Sequence, residues 1–468
     1  MNAQLSRNDL ISRNDQRQAG IIISAPPPFL HLADVAGKGV ELDFDGGLLS
    51  SDAGLVLLKD IDEQLGLSRA LAAVLRDSRD PRRVNFSYHD LLQQRVFQIA
   101  AGYEDANDSN SLRHDPIFKL MLNRPPQSGP ALASQPTISR FENGVSRPEL
   151  YRLAEVFLEQ FITSYTQAPE VLVLDFDDTE DEVYGEQEQA RYNSHYGSTC
   201  FLPLHVYEGL SGRLITTILK AKRFTGPQML MVLKRLVERL RQVWPDTLLI
   251  YRGDSHFAYP EVMQWIEAQA HMHHVTGLTS NTVLQALARD VVDQAKRAYA
   301  ERGVKVTRFH STSYQAGTWR RRRRVVIKVE VGEKGVNTRF VVTSMEQART
   351  RVLYRTIYCA RGDAENDIKE QKGYLKSDRT SCHRFQANQF RVFLHAAAYV
   401  LLDTLRREVL GTSAWARASI QTIQLRLLKL GARVKELTGR IRVSLASSCP
   451  VAPVLRRSLS LLACVRLT

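Results

Sequence analysis

Through residue 165, apolar and polar positions alternate mainly with a helical period. Three segments, SSDAGLVLLKDIDEQLGL, YHDLLQQRVFQIAAGYED and RPELYRLAEVFLEQFITSY, carry apolar residues at positions i, i+3 and i+4, which is typical of amphipathic helices. Loops that contain proline and glycine, such as residues 123–130, separate them. We therefore predict a helical domain over residues 31–165, behind a flexible tail at residues 1–30.

After this region the hydrophobic period becomes that of a strand. VLVLDFDDTE, which begins at Val171, is an apolar run that ends in acids, and alternation puts Asp175 and Asp177 on one face. Two strand-like runs with a short connection follow, and then a helix, a strand that ends at Asp254, a second helix and a fifth strand. This order predicts a mixed sheet, antiparallel first and parallel afterwards, as the first part of an α/β core over residues 166–280.

The next segment interrupts this core. One helix is followed by three strand-like runs, which we interpret as a β-rich insertion over residues 281–350. Its second strand is predicted to contain the run Arg320–Arg324, whose side chains would alternate between both faces. Two interpretations stay open: a charged edge strand that resists pairing, or contact with phosphate, for which Arg322 and Arg324 are the candidates.

The remainder of the chain is predicted to be helical. The apolar segment RFQANQFRVFLHAAAYVLLDTLRREVL predicts a core helix in residues 351–410, which form the second part of the α/β core. Residues 411–468 are rich in basic side chains at helical spacing. We predict for them a basic helical C-terminal region suited to a nucleic-acid surface.

We call residues 358–372, YCARGDAENDIKEQK, the signature segment. Some of its polar and charged residues have the spacing of a helix face that is usually apolar. Five of its residues follow one another at steps of three and four and therefore lie along one helix face: Tyr358, Arg361, Glu365, Ile368 and Lys372. Such a stripe is normally apolar and buried. One interpretation is a solvated face with an Arg361–Glu365 pair at i, i+4, and the other is a face that meets a charged ligand.

Composition narrows the class of partner. A hydrophobic content of 44% and a charged content of 24% are typical of a globular protein with two or three domains in 468 residues. The formal net charge of +13 favours a polyanionic partner, and nucleic acid before a membrane surface. The five cysteines lack C-x-x-C or ligand spacing, which argues against zinc and a disulfide framework. We find no signal peptide or membrane-spanning run and predict a cytoplasmic protein, associated with the nucleoid.

One chemistry that fits the first acids is phosphomonoester hydrolysis. VLVLDFDDT matches the hhhhDxDxT pattern of haloacid-dehalogenase-type phosphatases, with Asp175 as nucleophile and Asp177 as general acid/base. Similar enzymes also carry a downstream acidic pair that completes a magnesium site. This chain has Asp254 there, but Ala258 and Tyr259 stand where the second acid is expected, so the pattern is only half present.

The other chemistry is metal-dependent cleavage and transfer of nucleic-acid phosphodiesters. Two Mg²⁺ ions about 4 Å apart activate a water or 3′-hydroxyl and stabilise the leaving oxygen. Magnesium takes hard oxygen ligands, so a few carboxylates on separate elements are sufficient. Asp177, Asp254 and Glu365 fit this requirement, and Asp175 is a second candidate ligand on the first strand.

With these residues the chain resembles the DDE transposases of bacterial insertion sequences, from the group with the signature Y-x2-R-x3-E-x6-K. Tyr358, Arg361, Glu365 and Lys372 match every spacing of that signature, and Asp177 resembles the family's first acid because x-Thr follows it. The stretch YRGDSHF similarly resembles the region of the second acid. The resemblance covers about residues 31–410.

The resemblance implies an RNase H-like core interrupted by a β insertion, with three catalytic acids that bind two Mg²⁺ ions, or Mn²⁺ as a substitute. It also implies that Tyr358, Arg361 and Lys372 hold the phosphates of the transposon ends, since arginine grips phosphate bidentately and lysine acts as a point charge. The implied partners are transposon-end DNA with terminal inverted repeats and target DNA, bound by a homodimer, with helices of residues 31–165 as the candidate DNA-binding domain. A nuclease without strand transfer and an inactive DNA-binding descendant remain alternatives.

Overall fold

The structure, a computed structural model, describes residues 30–464. Its strands are β1 (Leu30–Val35), β2 (Lys38–Leu42), β3 (Leu49–Ser50), β4 (Val171–Asp178), β5 (Asp181–Glu182), β6 (Arg191–Asn193), β7 (Ser198–Phe201), β8 (Leu204–Glu208), β9 (Leu214–Ile218), β10 (Leu248–Gly253), β11 (Met272–Leu278), β12 (Val306–Tyr314), β13 (Arg323–Gly332), β14 (Gly335–Thr343), β15 (Ala432–Leu437) and β16 (Arg440–Leu445). Its α-helices are α1 (Val56–Leu65), α2 (Leu67–Ala73), α3 (Tyr88–Ala100), α4 (Ser109–Leu112), α5 (Pro116–Met121), α6 (Gln135–Asn143), α7 (Arg147–Thr163), α8 (Gly226–Val243), α9 (Pro260–Ile266), α10 (Thr282–Arg302), α11 (Thr350–Val352), α12 (Gly362–Leu375), α13 (Phe385–Thr404), α14 (Ile420–Ile423) and α15 (Ala452–Cys464).

A central sheet of eight strands has the order β12-β13-β14-β11-β10-β4-β8-β9. The β4–β10 and β10–β11 pairs are parallel, whereas the β4–β8 and β8–β9 pairs are antiparallel. The predicted α/β fold, a mixed sheet flanked by helices, is thus confirmed. The three strands of the insertion continue the same sheet, because β14 pairs with β11 in antiparallel register.

The central strand β4 separates two apolar layers. Leu172, Leu174 and Phe176 face the layer formed with α7, α8 and α9. Val173 belongs to the opposite layer, where it packs in one cluster with Leu353, just after α11. Because side chains alternate along a strand, the odd-numbered acids of β4 share the face that meets the segment leading into α12.

The predicted core helix is α13, which is buried along most of its length. It contacts α1, α3, α6 and α7 of the N-terminal region and α14 of the C-terminal region. Residues from both regions, such as Leu58 and Leu427, belong to the same hydrophobic cluster as α13. The two ends of the chain therefore share one core.

The prediction of a helical C-terminus is wrong over residues 432–445. There β15 and β16 form an antiparallel hairpin, and β3 pairs with the other edge of β15. The missed signal is an alternation of apolar and polar residues over Ala432–Lys435 and again over Arg440–Leu445, on either side of Thr438-Gly439, which is typical of a hairpin with a short turn.

The predicted strand over Arg320–Arg324 is also corrected. β13 begins at Arg323, and that side chain is buried in an ion pair with Glu267, with 2.6 Å between Nε and Oε1. Arg321 reaches the same carboxylate, at 2.9 Å. The run is therefore partly an internal ion-pair network, because Glu267 at the end of α9 neutralises it.

The predicted tail lies outside the described residues, apart from Leu30, which opens β1. β1 pairs with β2 in a hairpin that the helical pattern did not indicate. Among the helices of residues 30–464, none combines the length and the hydrophobicity needed to cross a bilayer.

Candidate active site

The first candidate acid lies near the end of the central strand. Asp177 is the seventh residue of β4, and its side chain is 14% exposed on the face shared with Val173. Its Oδ1 accepts a hydrogen bond from the backbone N–H of Asp178 at 3.0 Å. Its Oδ2 accepts one from Nη1 of Arg361 at 3.1 Å, which connects the sheet directly to the signature segment.

The second candidate acid follows the neighbouring strand. Since β10 is parallel to β4, the residues after both strands meet at the same edge of the sheet. Asp254 comes directly after β10 and accepts the backbone N–H of His256 on Oδ1 at 2.7 Å, which caps a short 3-10 turn. Its Oδ2 is 3.1 Å from Nδ1 of His256, and the carboxylate remains partly exposed.

The third candidate acid lies on a helix whose first part is irregular. After α11 the backbone forms a π turn over Leu353–Tyr358 and a 3-10 turn over Cys359–Arg361 before α12 begins. The sequence predicts one regular helix face here, and the structure corrects that prediction upstream of Arg361. Irregular turns of this kind often occur at functional sites, because they redirect a few side chains without ending the helix.

Arg361 joins the first and third acids. Its Nη1 is 3.1 Å from Asp177 and its Nη2 is 2.6 Å from Oε1 of Glu365. The predicted Arg361–Glu365 pair is present, but Arg361 is only 20% exposed and also reaches a residue that is 184 positions away in sequence. The stripe is therefore a contact surface between α12 and the sheet and not a solvated face.

Burial and the neighbouring carboxylates both raise the pKa of Asp177, the first candidate acid. Burial raises the pKa of Asp177 to about 7; Arg361 opposes this rise, while Asp254, Glu365 and Asp178 add to it. The three candidate acids therefore lie close enough to affect one another. Within residues 30–464, no three His, Cys, Asp or Glu side chains are arranged to hold a metal ion. The positive charge between Asp177 and Glu365 is that of Arg361.

The donor set nevertheless fits a hard divalent cation. Three carboxylates provide the oxygen ligands that Mg²⁺ prefers, and two or three such ligands are sufficient because the ion keeps several waters. A cation among them would also favour the charged form of Asp177, which burial now disfavours.

Asp175 has a different environment, although it shares the strand face of Asp177. It forms a bidentate ion pair with Arg252 of β10, and both side chains are only 1% exposed. Arg252 also donates to the carbonyl oxygen of Ile357 at 2.5 Å. The pair fastens the sheet to the π turn ahead of Arg361, and it leaves Asp175 no access to a ligand.

The remaining candidates are divided between two locations. Tyr358 is half-buried next to Asp254, and burial raises its pKa. Lys372 is also half-buried, and it donates to the carbonyl oxygen of Glu180, just beyond β4. Arg324 instead donates to the carbonyl oxygens of residues 345 and 346, and Arg322 donates to Ser313. The structure therefore places Arg322 and Arg324 in contacts around the β13 end of the sheet, not with the acids.

Comparison with known proteins identifies the family. The family model described as the transposase DDE domain, group 1, matches residues 32–467, which is nearly the whole chain. The chain belongs to this family of DDE transposases. The resemblance carried by the Y-x2-R-x3-E-x6-K signature is thus confirmed, and DDE transposases cleave and transfer DNA strands with divalent metal ions.

Two further comparisons add little to this assignment. The transposase is similar to the piggyBac transposase in its synaptic complex with hairpin DNA, with a TM-score of 0.43 and 12% identity over 81% of this chain and 80% of that chain. No curated protein matches the chain.

Sequence reasoning missed two buried basic residues that support the site of this transposase. Arg252 is one, and Lys220 is the other: it forms an ion pair with Asp178 at 2.5 Å, on the opposite face of β4 from Asp177. A signal was available for Arg252, because a charge inside the apolar run LLIYRG requires a buried partner of opposite sign. No comparable signal pointed to Lys220, which lies beyond β9 in a polar loop.

Gly277 of β11 provides a test of how closely the site is packed. A Cβ atom there would be 2.7 Å from the backbone nitrogen of Ser255 and 2.8 Å from the hydroxyl of Tyr358. We expect Gly277→Ala to displace Tyr358 and the turn that carries Asp254, and to lower the rate of strand cleavage about 10- to 100-fold, because an ångström of misplacement has effects of that size.

The matched control is Gly373→Ala on α12, where a Cβ atom would meet nothing within 4 Å. It should keep full activity and should stabilise the helix slightly, since alanine is the better helix former. Cleavage rates and thermal melting of both variants check this prediction. Full activity in Gly277→Ala would mean that Tyr358 and the Asp254 turn are not held in a required geometry.

Proposed function

We propose that this transposase cleaves DNA at transposon ends and joins the freed 3′-hydroxyl groups to target DNA, in cut-and-paste transposition. In this proposal Asp177, Asp254 and Glu365 hold two Mg²⁺ ions, for which Mn²⁺ can substitute. The observation that carries it is the convergence of these acids from β4, the turn after β10 and α12 around the guanidinium of Arg361.

The ion pairs of Arg361 suggest how the site changes when it is loaded. Divalent ions held by Asp177, Asp254 and Glu365 would supply the activation of a water or 3′-hydroxyl and the stabilisation of the leaving oxygen. Arg361 would then release the carboxylates of Asp177 and Glu365 and bind a DNA phosphate, for which its two parallel N–H groups have the matching geometry. Tyr358 would donate one hydrogen bond to the same backbone, and Lys372 would contribute a point charge.

The proposed partners are transposon-end DNA, with its terminal repeats, and target DNA. The net charge of +13 supports binding to both, because neutralising phosphates releases counterions. A mobile element has two ends, and the part of the chain that the structure describes brings together one set of candidate acids, so we propose a homodimer in the DNA complex. Its place of action would be the nucleoid, where both substrates lie.

A strand-transfer assay tests the proposal. Purified protein is incubated with Mg²⁺ and a labelled duplex that carries the element's own terminal repeat, and joined products are separated on a gel. We expect joined product from the wild type and none from Asp254→Asn or Glu365→Gln, although both variants should still bind the duplex in an anisotropy assay.

Two other outcomes would change the proposed function. Cleavage without joining would indicate a nuclease. Release of phosphate from a small phosphomonoester, sensitive to Asp175→Asn, would indicate a phosphatase, which the buried Asp175–Arg252 pair argues against. Retained cleavage in Glu365→Gln alone would mean that the third acid is wrongly assigned.

A further inference from the structure

The C-terminal hairpin formed by β15 and β16 has two chemically different faces. It belongs to a three-stranded sheet of order β16-β15-β3. On the inner face, Ala432 and Val434 are 5% and 2% exposed, and Val443 and Leu445 pack against the same hydrophobic core. Because side chains alternate between the two faces of a strand, the side chains on the opposite face point toward solvent.

The outer face is strongly basic. The cross-strand pairs on this face are Arg433–Ser444, Lys435–Arg442 and Leu437–Arg440, and all six side chains are exposed. The face thus carries four cations and no acid. Glu436, which is the acid of the hairpin, points to the other side and accepts backbone N–H groups of residues 127 and 128 at 2.9 and 3.0 Å.

The pairing of charges on this face is unfavourable for the isolated hairpin. Lys435 lies directly opposite Arg442, and like charges in that position destabilise a sheet. Within residues 30–464, none of the four basic side chains takes part in an ion pair of 4.0 Å or less; the salt bridges of the C-terminal region involve other residues, such as Lys429 and Asp52. An external anion would remove the repulsion.

Protection of the β16 edge does not explain this choice of residues. Charged side chains on an edge strand do prevent pairing with other chains. A lysine opposite a glutamate would serve that purpose equally well, and it would stabilise the hairpin as well. Four cations and no acid point instead to a polyanion.

We propose that the outer face of this hairpin is a second DNA-binding surface, which contacts the phosphate backbone of duplex DNA apart from the catalytic acids. Residues two apart on a strand are separated by about 7 Å, so the four cations form a compact patch that neighbouring phosphates can contact together. A two-stranded β-ribbon also has dimensions that the major groove, about 12 Å wide, accepts. The inference rests on the proposed function, in which the chain acts on DNA.

Lys435 and Arg442 are the residues to change. Arg433 lies beside Gly47 at the β3 side of the sheet, whereas Lys435 and Arg442 face each other across the hairpin. The double variant Lys435→Glu/Arg442→Glu reverses both charges. Its control is Lys296→Glu/Arg297→Glu on α10, where two exposed cations undergo the same change of net charge.

The measurement is fluorescence anisotropy of a random-sequence duplex of about 30 base pairs, titrated with the full chain at several salt concentrations. We expect the hairpin double variant to bind about tenfold or more weakly, and its salt slope to fall by about two, because each phosphate contact contributes about 0.9. The control should stay within about threefold of the wild type, since its cations lie on another surface.

The single variant Lys435→Glu separates binding from folding. It replaces a like-charge pair with an opposite-charge pair, so thermal stability should be unchanged or higher while DNA affinity falls. Weaker binding together with a lower melting temperature would overturn the proposal, because the loss would come from the fold.

Two further results would also overturn it: equal affinity in the hairpin variant and the wild type, or equal losses in the hairpin and control variants. If the wild type binds no duplex and makes no joined product, the proposed function itself fails. A wild type that binds and transfers DNA, beside a hairpin variant that binds equally well, rejects only the hairpin surface.

Discussion

Asp177→Asn is expected to abolish strand cleavage by lowering its rate about 1,000-fold or more. The reason is that a catalytic metal ion provides several kcal/mol of transition-state stabilisation, and each 1.36 kcal/mol corresponds to a factor of ten. Asn keeps the size of the side chain but loses the charge that the proposed metal site requires. Single-turnover cleavage of a labelled transposon end, with DNA binding measured in parallel, checks the prediction.

The same substitution should stabilise the fold at neutral pH. The pKa of Asp177 is raised to about 7 from an ordinary value of 3.8, so the folded chain disfavours its charged form. Stability therefore falls as the pH rises from about 4 to about 7, and Asn removes that loss, which is on the order of 4 kcal/mol at 1.36 kcal/mol for each pKa unit. The gain should be present at pH 8 and absent near pH 4.

Asp293→Asn is the matched control for both effects. Asp293 is an exposed acid on α10, far along the chain from the candidate acids, and it should change neither cleavage nor melting temperature. Normal cleavage by Asp177→Asn would contradict its assignment as the first acid. A fall in stability at pH 8 would mean that its ion pair with Arg361 outweighs the cost of burying its charge.

Local patterns in the sequence predicted part of the geometry in which these candidate residues lie. Alternation along VLVLDFDD placed Asp177 on a definite face of a strand, and the steps of three and four placed Arg361 and Glu365 together on a helix. Both depend only on backbone geometry, which neighbouring residues determine. The contact between Arg361 and Asp177 spans 184 positions and depends on how α12 packs against the sheet, so no local pattern contains it.

The C-terminal hairpin and the π turn were not predicted from the hydrophobic period of their own segments. Basic residues after position 411 suggested a helix. In the structure Ala432 and Val434 of β15 are instead buried against the shared core, so tertiary packing stabilises a hairpin there. The π turn at Leu353–Tyr358 has no signal of its own in the sequence. It occurs where Arg252 of the sheet donates to the carbonyl oxygen of Ile357, which is a contact made only in the folded chain.

Arg252→Met should cause a large loss of stability. It leaves the carboxylate of Asp175 buried without its partner, and removing one member of a buried ion pair typically costs about 3–5 kcal/mol. The loss should be larger at pH 8 than near pH 4, because an unpaired buried carboxylate resists ionisation and is neutral at low pH. The free energy of unfolding in urea at both pH values provides the measurement.

The double variant Arg252→Met/Asp175→Asn shows whether the unpaired charge is the cause. It should recover a substantial part of the stability at pH 8, because the amide that remains buried is neutral. It should not recover cleavage, since Arg252 also donates to the carbonyl oxygen of Ile357 and so holds the π turn ahead of Arg361. A loss below about 1 kcal/mol in Arg252→Met, typical of an exposed ion pair, would contradict the buried bidentate pair. Full cleavage activity in the double variant would mean that Arg361 keeps its position without this contact, and that the sheet alone orients the signature segment.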